Sequence, residues 1–372
     1  MPEFVCRECS LRFDAYAPRW LCDCGGLLDL DFKPSLDMGS IRNRPATMWR
    51  YWEALPVPSD AALTLGEGFT PMLPVEIGGH TMQVKQEYLS PTGSYKDRGA
   101  AVMMAVAAHM RVTEVVEDSS GNAGCAVAAY SAKAGIHCRI FVPADNSPGK
   151  LGQIELYGAD LVPVPGSRED TANACMEAAS DTYYASHVYN PFFFHGTKTF
   201  AYEVVEQLGW KRPDTVILPA GNGTLLLGAY LGFSELKSLG VIDRLPKLVA
   251  VQSAHCAPVC AGFVNGADRV EAVSTATTLA EGIAIAEPMR GGQMLEALRE
   301  SGGHCLAVSE EEILAAFKAM GRKGYCIEPT SAAIVAGATL YAQSAATDEV
   351  IVTMFTGHGL KVGEKLHALS NK

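Results

Sequence analysis

The chain has 372 residues, 48% of them hydrophobic, with 36 glycines and a net charge of −11. That length favours two lobes over one, the acidity argues against a nucleic-acid partner, and no run of 18 apolar residues offers a membrane span. The opening MPEFVCRECS lacks the basic and apolar regions of a signal peptide. A soluble cytoplasmic protein is therefore expected, and with it reduced cysteines, whose odd count of 11 already prevents complete pairing.

Residues 1–40 stand apart. Cys6 and Cys9, then Cys22 and Cys24 followed by Gly-Gly, offer four thiolates from two tight turns. Such a set suits a tetrahedral structural zinc that staples a lobe with little core. The single residue between Cys22 and Cys24 leaves a reduced, metal-free cluster open as the other reading. No strand–helix context supports a redox role for CREC.

A strand-like run, HTMQVKQEYL, precedes SPTGSYKDRGA with its Lys96. From there strand and helix patterns alternate. TEVVED leads to SGNAGCAVAAYSAKAG, HCRIFVPA to SPGKLGQIELYG, DLVPVPG to SREDTANACMEAAS, and DTVILPA to GNGTLLLGAYLGFSELKSLG. SEEEILAAFKAMGRKG opens with a Ser309/Glu312 capping box, and the helix SAAIVAGATLYAQS and strand DEVIVTMFT follow. This alternation predicts an α/β fold of parallel sheet with helices on both faces. With no repeat or low-complexity linker, the lobes are expected to interleave.

Ligands of such sheets bind beyond the carboxyl ends of the strands, where three loops lie: SSGNAG (119–124), PAGNGTLLLG (219–228) and TGHGLK (356–361). GNGT at a helix start offers backbone N–H groups and a positive dipole end to a phosphate, although one glycine-rich turn alone is commonly just a turn. A lysine in a packed site, near dipoles and cations, can lose its proton and attack a carbonyl. Pyridoxal phosphate (PLP) supplies both the carbonyl and the phosphate, so one ligand accounts for Lys96 and GNGT together. A solvated lysine at a helix start explains only the first.

In LGEGFTPMLP, SPTGSYKDRGA, SSGNAGCAVAAYSAKAG, VPADNSPGKLGQIELYGA, LPAGNGTLLLGAY, TLAEGIAIAEP, EPTSAAIVAG and TGHGLK, the chain resembles the fold-type II PLP enzymes. This is the tryptophan synthase β-like family, and the match is to its threonine synthase-like group. The resemblance runs in family order over nearly the whole chain. It implies two interleaved three-layer α/β/α lobes behind a small Cys-rich, zinc-ribbon-like segment. The domains would be 1–40, a large PLP-binding domain of 41–97 plus 197–372, and a small mobile domain of 98–196. It further implies a homodimer acting on a small amino acid. Lys96 would form the Schiff base with the cofactor and shuttle the Cα proton. Asn122 would lie beside the phenolic oxygen, while Gly221, Asn222, Gly223 and Thr224 would hold the phosphate. Thr356 would face the pyridine nitrogen, where a hydroxyl makes the ring a weaker electron sink than a carboxylate would. Ser119, Ser120 and Ala123, with Asn122, match the loop that receives the substrate carboxylate, and Lys150 matches a basic position near the substrate phosphate of threonine synthases.

The chain also departs from that pattern. In SHVYNPFFFHGTKT, Phe193 stands where the family carries an arginine for the substrate phosphate, and His187-Val188 replaces a polar pair. Ala123 stands where a threonine is frequent. A phosphate beside Phe193 would be desolvated without its cation, a loss of several kcal/mol. The expected substrate is therefore a non-phosphorylated β-hydroxy amino acid, aromatic substituents included, and the expected reaction an elimination or replacement by a PLP-dependent lyase. A true threonine synthase, favoured by Lys150 and Lys198, is the alternative. A non-catalytic PLP-binding protein is the second. His187 and His195 are acid/base candidates, although a lone histidine is more often structural. Phe192 and Phe194 read as core, and Cys125, Cys138, Cys175 and Cys326 as small buried hydrophobes.

Overall fold

In the computed structural model, which describes residues 2–58, 61–145 and 148–370, the chain passes back and forth between two units. The first comprises Met1–Gly68, Ser90–Thr92 and Lys96–Thr197, and the second Phe69–Leu89, Gly93–Tyr95 and Lys198–Lys372.

The first unit is built on a parallel sheet in the order Asp160–Val164, His137–Pro143, Glu114–Glu117 and Tyr183–Tyr184. Its strands are short and rich in valine and tyrosine, residues that pack well on a pleated surface. Helices Lys96–His109, Asn122–Ala134, Pro148–Leu156, Arg168–Ala178 and Pro191–Thr197 accompany it. Small side chains make the helix Lys96–His109 a core element, with Ala100 through Ala107 fully buried. Its crossing with Pro191–Thr197 depends on two glycines: a Cβ on Gly99 would overlap the Phe193 ring, and one on Gly196 the carbonyl oxygen of Arg98. Antiparallel strands Glu3–Cys6, Arg12–Asp14 and Leu28–Asp31 form the Cys-rich segment, and Phe4 joins the same core through its contact with Phe192.

The second unit holds a six-stranded sheet in the order His304–Val308, Lys247–Ser253, Thr215–Pro219, Ile351–Met354, His80–Lys85 and Met72–Ile77, parallel except for the last strand. Lys85 is fully buried and paired with Glu203 at 2.8 Å, while also donating to the Thr70 carbonyl at 2.7 Å. The expected capping box is present: Glu312 N–H donates to Ser309 Oγ at 3.2 Å, and Ser309 N–H to Glu312 Oε2 at 2.7 Å. The helix Pro329–Ala342 is apolar all round and correspondingly buried.

Cys260 and Cys305 correct the expectation of reduced thiols throughout, for they form a disulfide. The packing of the helix Pro258–Val264, which carries Cys260, against the strand His304–Val308 brings their Cα atoms to 5.0 Å, within bridging range. Cys125, Cys138 and Cys175 are buried as expected, and Cys326 is half-buried. Among the described residues no helix is long and apolar enough to cross a membrane.

Candidate active site

Lys96 is the first residue of its helix and is half-buried. The aspartate beside it is structural. Asp97 accepts from the Thr92 backbone N–H at 2.8 Å and from Thr92 Oγ1 at 2.7 Å, tying the turn to the helix start. A carboxylate here also complements the positive end of the helix dipole. Above the Phe193 ring, 5.6 Å from its centroid, sits the Lys96 amine.

Phe193 is fully buried, so its ring both packs into the core and faces the amine. Phe192 packs on Phe4 and Tyr16, and His195 stands edge-on to Phe32. His187 meets the Phe193 ring edge-on at 6.0 Å between centroids, and its Nδ1 lies 2.8 Å from Glu117 Oε1. Burial pushes the Glu117 carboxyl well above its ordinary range, with Asp118 adding to the effect. Burial likewise pushes the His187 imidazole well below its ordinary range, helped by the positive charge of Lys96. We read the pair as neutral overall, with Glu117 holding the proton.

The loop 119–124 leads into the helix Asn122–Ala134. Ser119 and Ala123 are buried, whereas Ser120 and Asn122 are partly exposed, and no side chain caps this helix start. Its backbone N–H groups are suited to a carboxylate. The side chain of Lys150 lies outside the described residues.

In the second unit, Gly221, Asn222 and Gly223 precede the fifteen-residue helix Thr224–Ser238. Gly223 adopts φ +79°, and a Cβ there would lie 2.6 Å from Met294 Sδ. Only glycine turns this corner without strain. Gly223 at its N-cap has no side chain to cap this helix either, and its first backbone N–H groups are of the kind that suits an anion. Thr224 Oγ1 is 2.9 Å from the Tyr95 hydroxyl. Thr356 is fully buried, where its Oγ1 donates to Glu328 Oε1 at 2.8 Å and lies 2.8 Å from Ser331 Oγ. Lys198 is engaged elsewhere: it is fully buried and paired with Glu235 at 2.8 Å.

The four N-terminal sulfurs all lie within 4.8 Å of one another, with Cys6–Cys24 and Cys9–Cys22 at 3.5 Å. Tetrahedral zinc with bonds of about 2.3 Å would set its sulfurs about 3.8 Å apart, so the cluster has the dimensions of a zinc site. Gly26 makes room for it, since a Cβ there would lie 2.7 Å from Cys6 Sγ. The Cys9 backbone N–H lowers the Cys6 thiol to about 6, while the Cys9 thiol is pushed up to about 12 and that of Cys24 is also raised, so without a metal the cluster favours one thiolate.

Sequence reasoning missed Glu117, Glu328 and Ser331. Each acts through a partner distant in the chain, so no local spacing marks it. Comparison with known proteins gives the family. A family model described as pyridoxal-phosphate dependent enzyme matches residues 63–357. A threonine synthase of Methanocaldococcus jannaschii is 36% identical over 372 residues, covering 96% of this chain and 92% of its own. One from Methanosarcina acetivorans is 35% identical over 375 residues, covering 97% and 92%. The structure of the processed form of threonine deaminase isoform 2 from Solanum lycopersicum superposes with a TM-score of 0.72, covering 96% of this chain and 94% of its own; at 21% identity it speaks for the fold alone. The chain belongs to the pyridoxal-phosphate dependent enzymes of fold type II, as a PLP-dependent lyase of the threonine synthase-like group.

Proposed function

We propose that this enzyme is a dehydratase for a non-phosphorylated β-hydroxy amino acid, releasing ammonia and a 2-oxo acid. In this reading the GNGT loop, Gly221 to Thr224, holds the cofactor phosphate, Asn122 its phenolic oxygen and Thr356 its ring nitrogen. The uncapped helix start behind Gly223 fits a phosphate, and an amine at Lys96 fits the aldehyde. When bound, PLP supplies an electron sink for the carbanion that forms at the substrate Cα. Lys96 takes the Cα proton. Ser119, Ser120, Asn122 and the backbone N–H groups up to Ala123 hold the substrate carboxylate. Phe193 and His187 line the side-chain end.

The observation that carries the reading is Phe193 lying 5.6 Å from the Lys96 amine, at the position the family resemblance reserves for an arginine. A phenyl ring, with the acid Glu117 behind His187, is a poor host for a dianion. The relatives named threonine synthase favour the competing reading, transfer on O-phosphohomoserine. One assay separates the two. Purified enzyme with PLP is offered O-phosphohomoserine and, separately, L-serine, L-threonine and β-phenylserine, and threonine, ammonia and 2-oxo acid are scored. Ammonia and oxo acid from a hydroxy acid supports the dehydratase; efficient threonine formation from O-phosphohomoserine refutes it. A non-catalytic PLP-binding protein would bind the cofactor and turn over none of these.

We also assign Cys6, Cys9, Cys22 and Cys24 to a structural zinc, on their mutual spacing. The homodimer rests on the family resemblance, and light scattering tests it.

A further inference from the structure

Lys96, Phe193, His187 and Glu117 form a continuous series of contacts within the first unit: amine over ring, ring edge to ring, and imidazole to carboxyl. The last member is the least expected. Glu117 is fully buried at the end of the strand Glu114–Glu117, and its Oε2 has no hydrogen-bond partner among the described residues. A buried carboxyl oxygen without a partner is costly to the fold, and a group kept at that cost calls for an explanation. His187 is similarly half-used. Nδ1 faces Glu117 Oε1, while Nε2 has no partner among the described residues and 6% of the residue remains exposed.

We propose that Glu117 is a positioning residue for the elimination: it fixes the tautomer of His187 and passes a proton through it to the departing hydroxyl of the substrate. This rests on the dehydratase reading above and deepens it. The Glu117 O–H donates to Nδ1, so the imidazole hydrogen must sit on Nε2, the nitrogen left over for a ligand. In the elimination the Cα–H bond breaks and Lys96 takes that proton. Its electron pair becomes the Cα=Cβ bond, and the Cβ–O pair leaves with the oxygen. That oxygen takes the Nε2 proton and departs as water, while Nδ1 takes the proton of Glu117. The products balance as dehydrated substrate plus water, with Glu117 left ionised until solvent returns its proton.

The surroundings agree with a carboxyl that is neutral at rest. Burial and the charge of Asp118 favour the acid form, and the opposing Lys96, Asp118 backbone N–H and Arg168 do not reverse this. The nearby thiol of Cys138 is pushed up to about 12 and that of Cys175 higher still, mainly by burial, so neither adds charge. Because the relay ends in a buried carboxylic acid that becomes a carboxylate as it gives up its proton, it suits a departing hydroxyl and offers a phosphate no cation.

The test compares leaving groups. Oxygen must be protonated to leave as water, whereas chloride departs unaided. Holoenzyme and Glu117→Gln are therefore assayed with L-threonine, β-phenylserine and β-chloroalanine. Glutamine keeps the hydrogen bond to Nδ1 but has no proton to pass on. The relay predicts that the ratio of hydroxyl to chloride elimination falls about a hundredfold in kcat. KM should stay within about twofold. In the wild type, hydroxyl elimination alone should decline as alkali ionises Glu117, and the variant should lack that decline. An equal loss on both kinds of substrate would mean a structural role, and no loss would mean no role; either overturns the relay. A second readout needs no turnover. Histidine-selective 15N spectra of the holoenzyme, with His187 identified by its absence in His187→Asn, should show a neutral ring protonated at Nε2 at pH 7. An Nδ1–H tautomer or an imidazolium overturns the proposal. Threonine from O-phosphohomoserine, with no ammonia from either hydroxy acid, overturns the dehydratase reading itself and the relay with it.

Discussion

Gly223→Ala and Gly240→Ala alter opposite ends of one helix, Thr224–Ser238, and only the first touches the assigned phosphate cradle. Both glycines have left-handed backbone, φ +79° and +72°. An alanine there costs about 1–2 kcal/mol in backbone strain. At Gly240 that is the whole effect, since a Cβ meets nothing within 4 Å. At Gly223 the new methyl would lie 2.6 Å from Met294 Sδ and 2.9 Å from its Cγ, and Met294 is fully buried. Overpacking of this kind adds about 1–3 kcal/mol. If the loop shifts to relieve the contact, the backbone donors move away from the phosphate instead. Each 1.4 kcal/mol lost from cofactor binding is a tenfold rise in Kd. Urea unfolding of the apoenzymes and PLP titration followed by absorbance measure the two consequences. Gly240→Ala should lose about 1 kcal/mol of stability and keep its PLP affinity. Gly223→Ala should bind PLP at least about tenfold more weakly. Equal PLP affinity in the two variants would refute the assignment of this helix start to the phosphate.

Removing the carboxylate in Glu203→Ala leaves Lys85 charged and fully buried, and should cost about 3–5 kcal/mol in urea unfolding, whereas the apolar pair Lys85→Met/Glu203→Leu should lose far less. His137 bridges Asp160 and Glu114 at 2.8 Å each, and these hydrogen bonds, that to Asp160 foremost, raise its ionisation range. Its stabilisation is therefore fully present below the ordinary histidine value and is lost as pH rises through the folded one. Thermal melts should show His137→Gln slightly less stable than wild type at pH 6 and equal to it in alkali, a small difference because the pair is exposed. Protein purified without chelator should hold about one zinc per chain by metal analysis, and stripping it should lower the melting temperature. A metal-free preparation that melts identically would contradict the zinc assignment.

Much of the site was legible because its geometry is local. GNGT advertises a tight corner before a helix, SPTGSYKDRG a turn that delivers a lysine to a helix start, and Ser309/Glu312 a cap, and all three need only neighbouring residues. Phe193 was half legible. The missing arginine could be read against the family pattern, but the packing of its ring on Gly99 depends on a helix crossing between segments far apart in the chain. Glu117 and His187 are separated by 70 positions, Thr356 and Glu328 by 28, and the bridged Cys260 and Cys305 by 45. Such pairs are made by strand order and helix packing, and no spacing rule reaches them. Sequence patterns therefore reached the glycine corners and helix starts, whereas the side-chain networks that set protonation became visible only in three dimensions.

Every proposed step requires the amine of Lys96 to carry the cofactor. Borohydride reduction of the PLP-saturated enzyme, followed by peptide mass spectrometry, tests this directly. A pyridoxyl group on Lys96 is expected, with loss of the visible absorbance band in Lys96→Ala. An unmodified Lys96 alongside a labelled lysine elsewhere would contradict it.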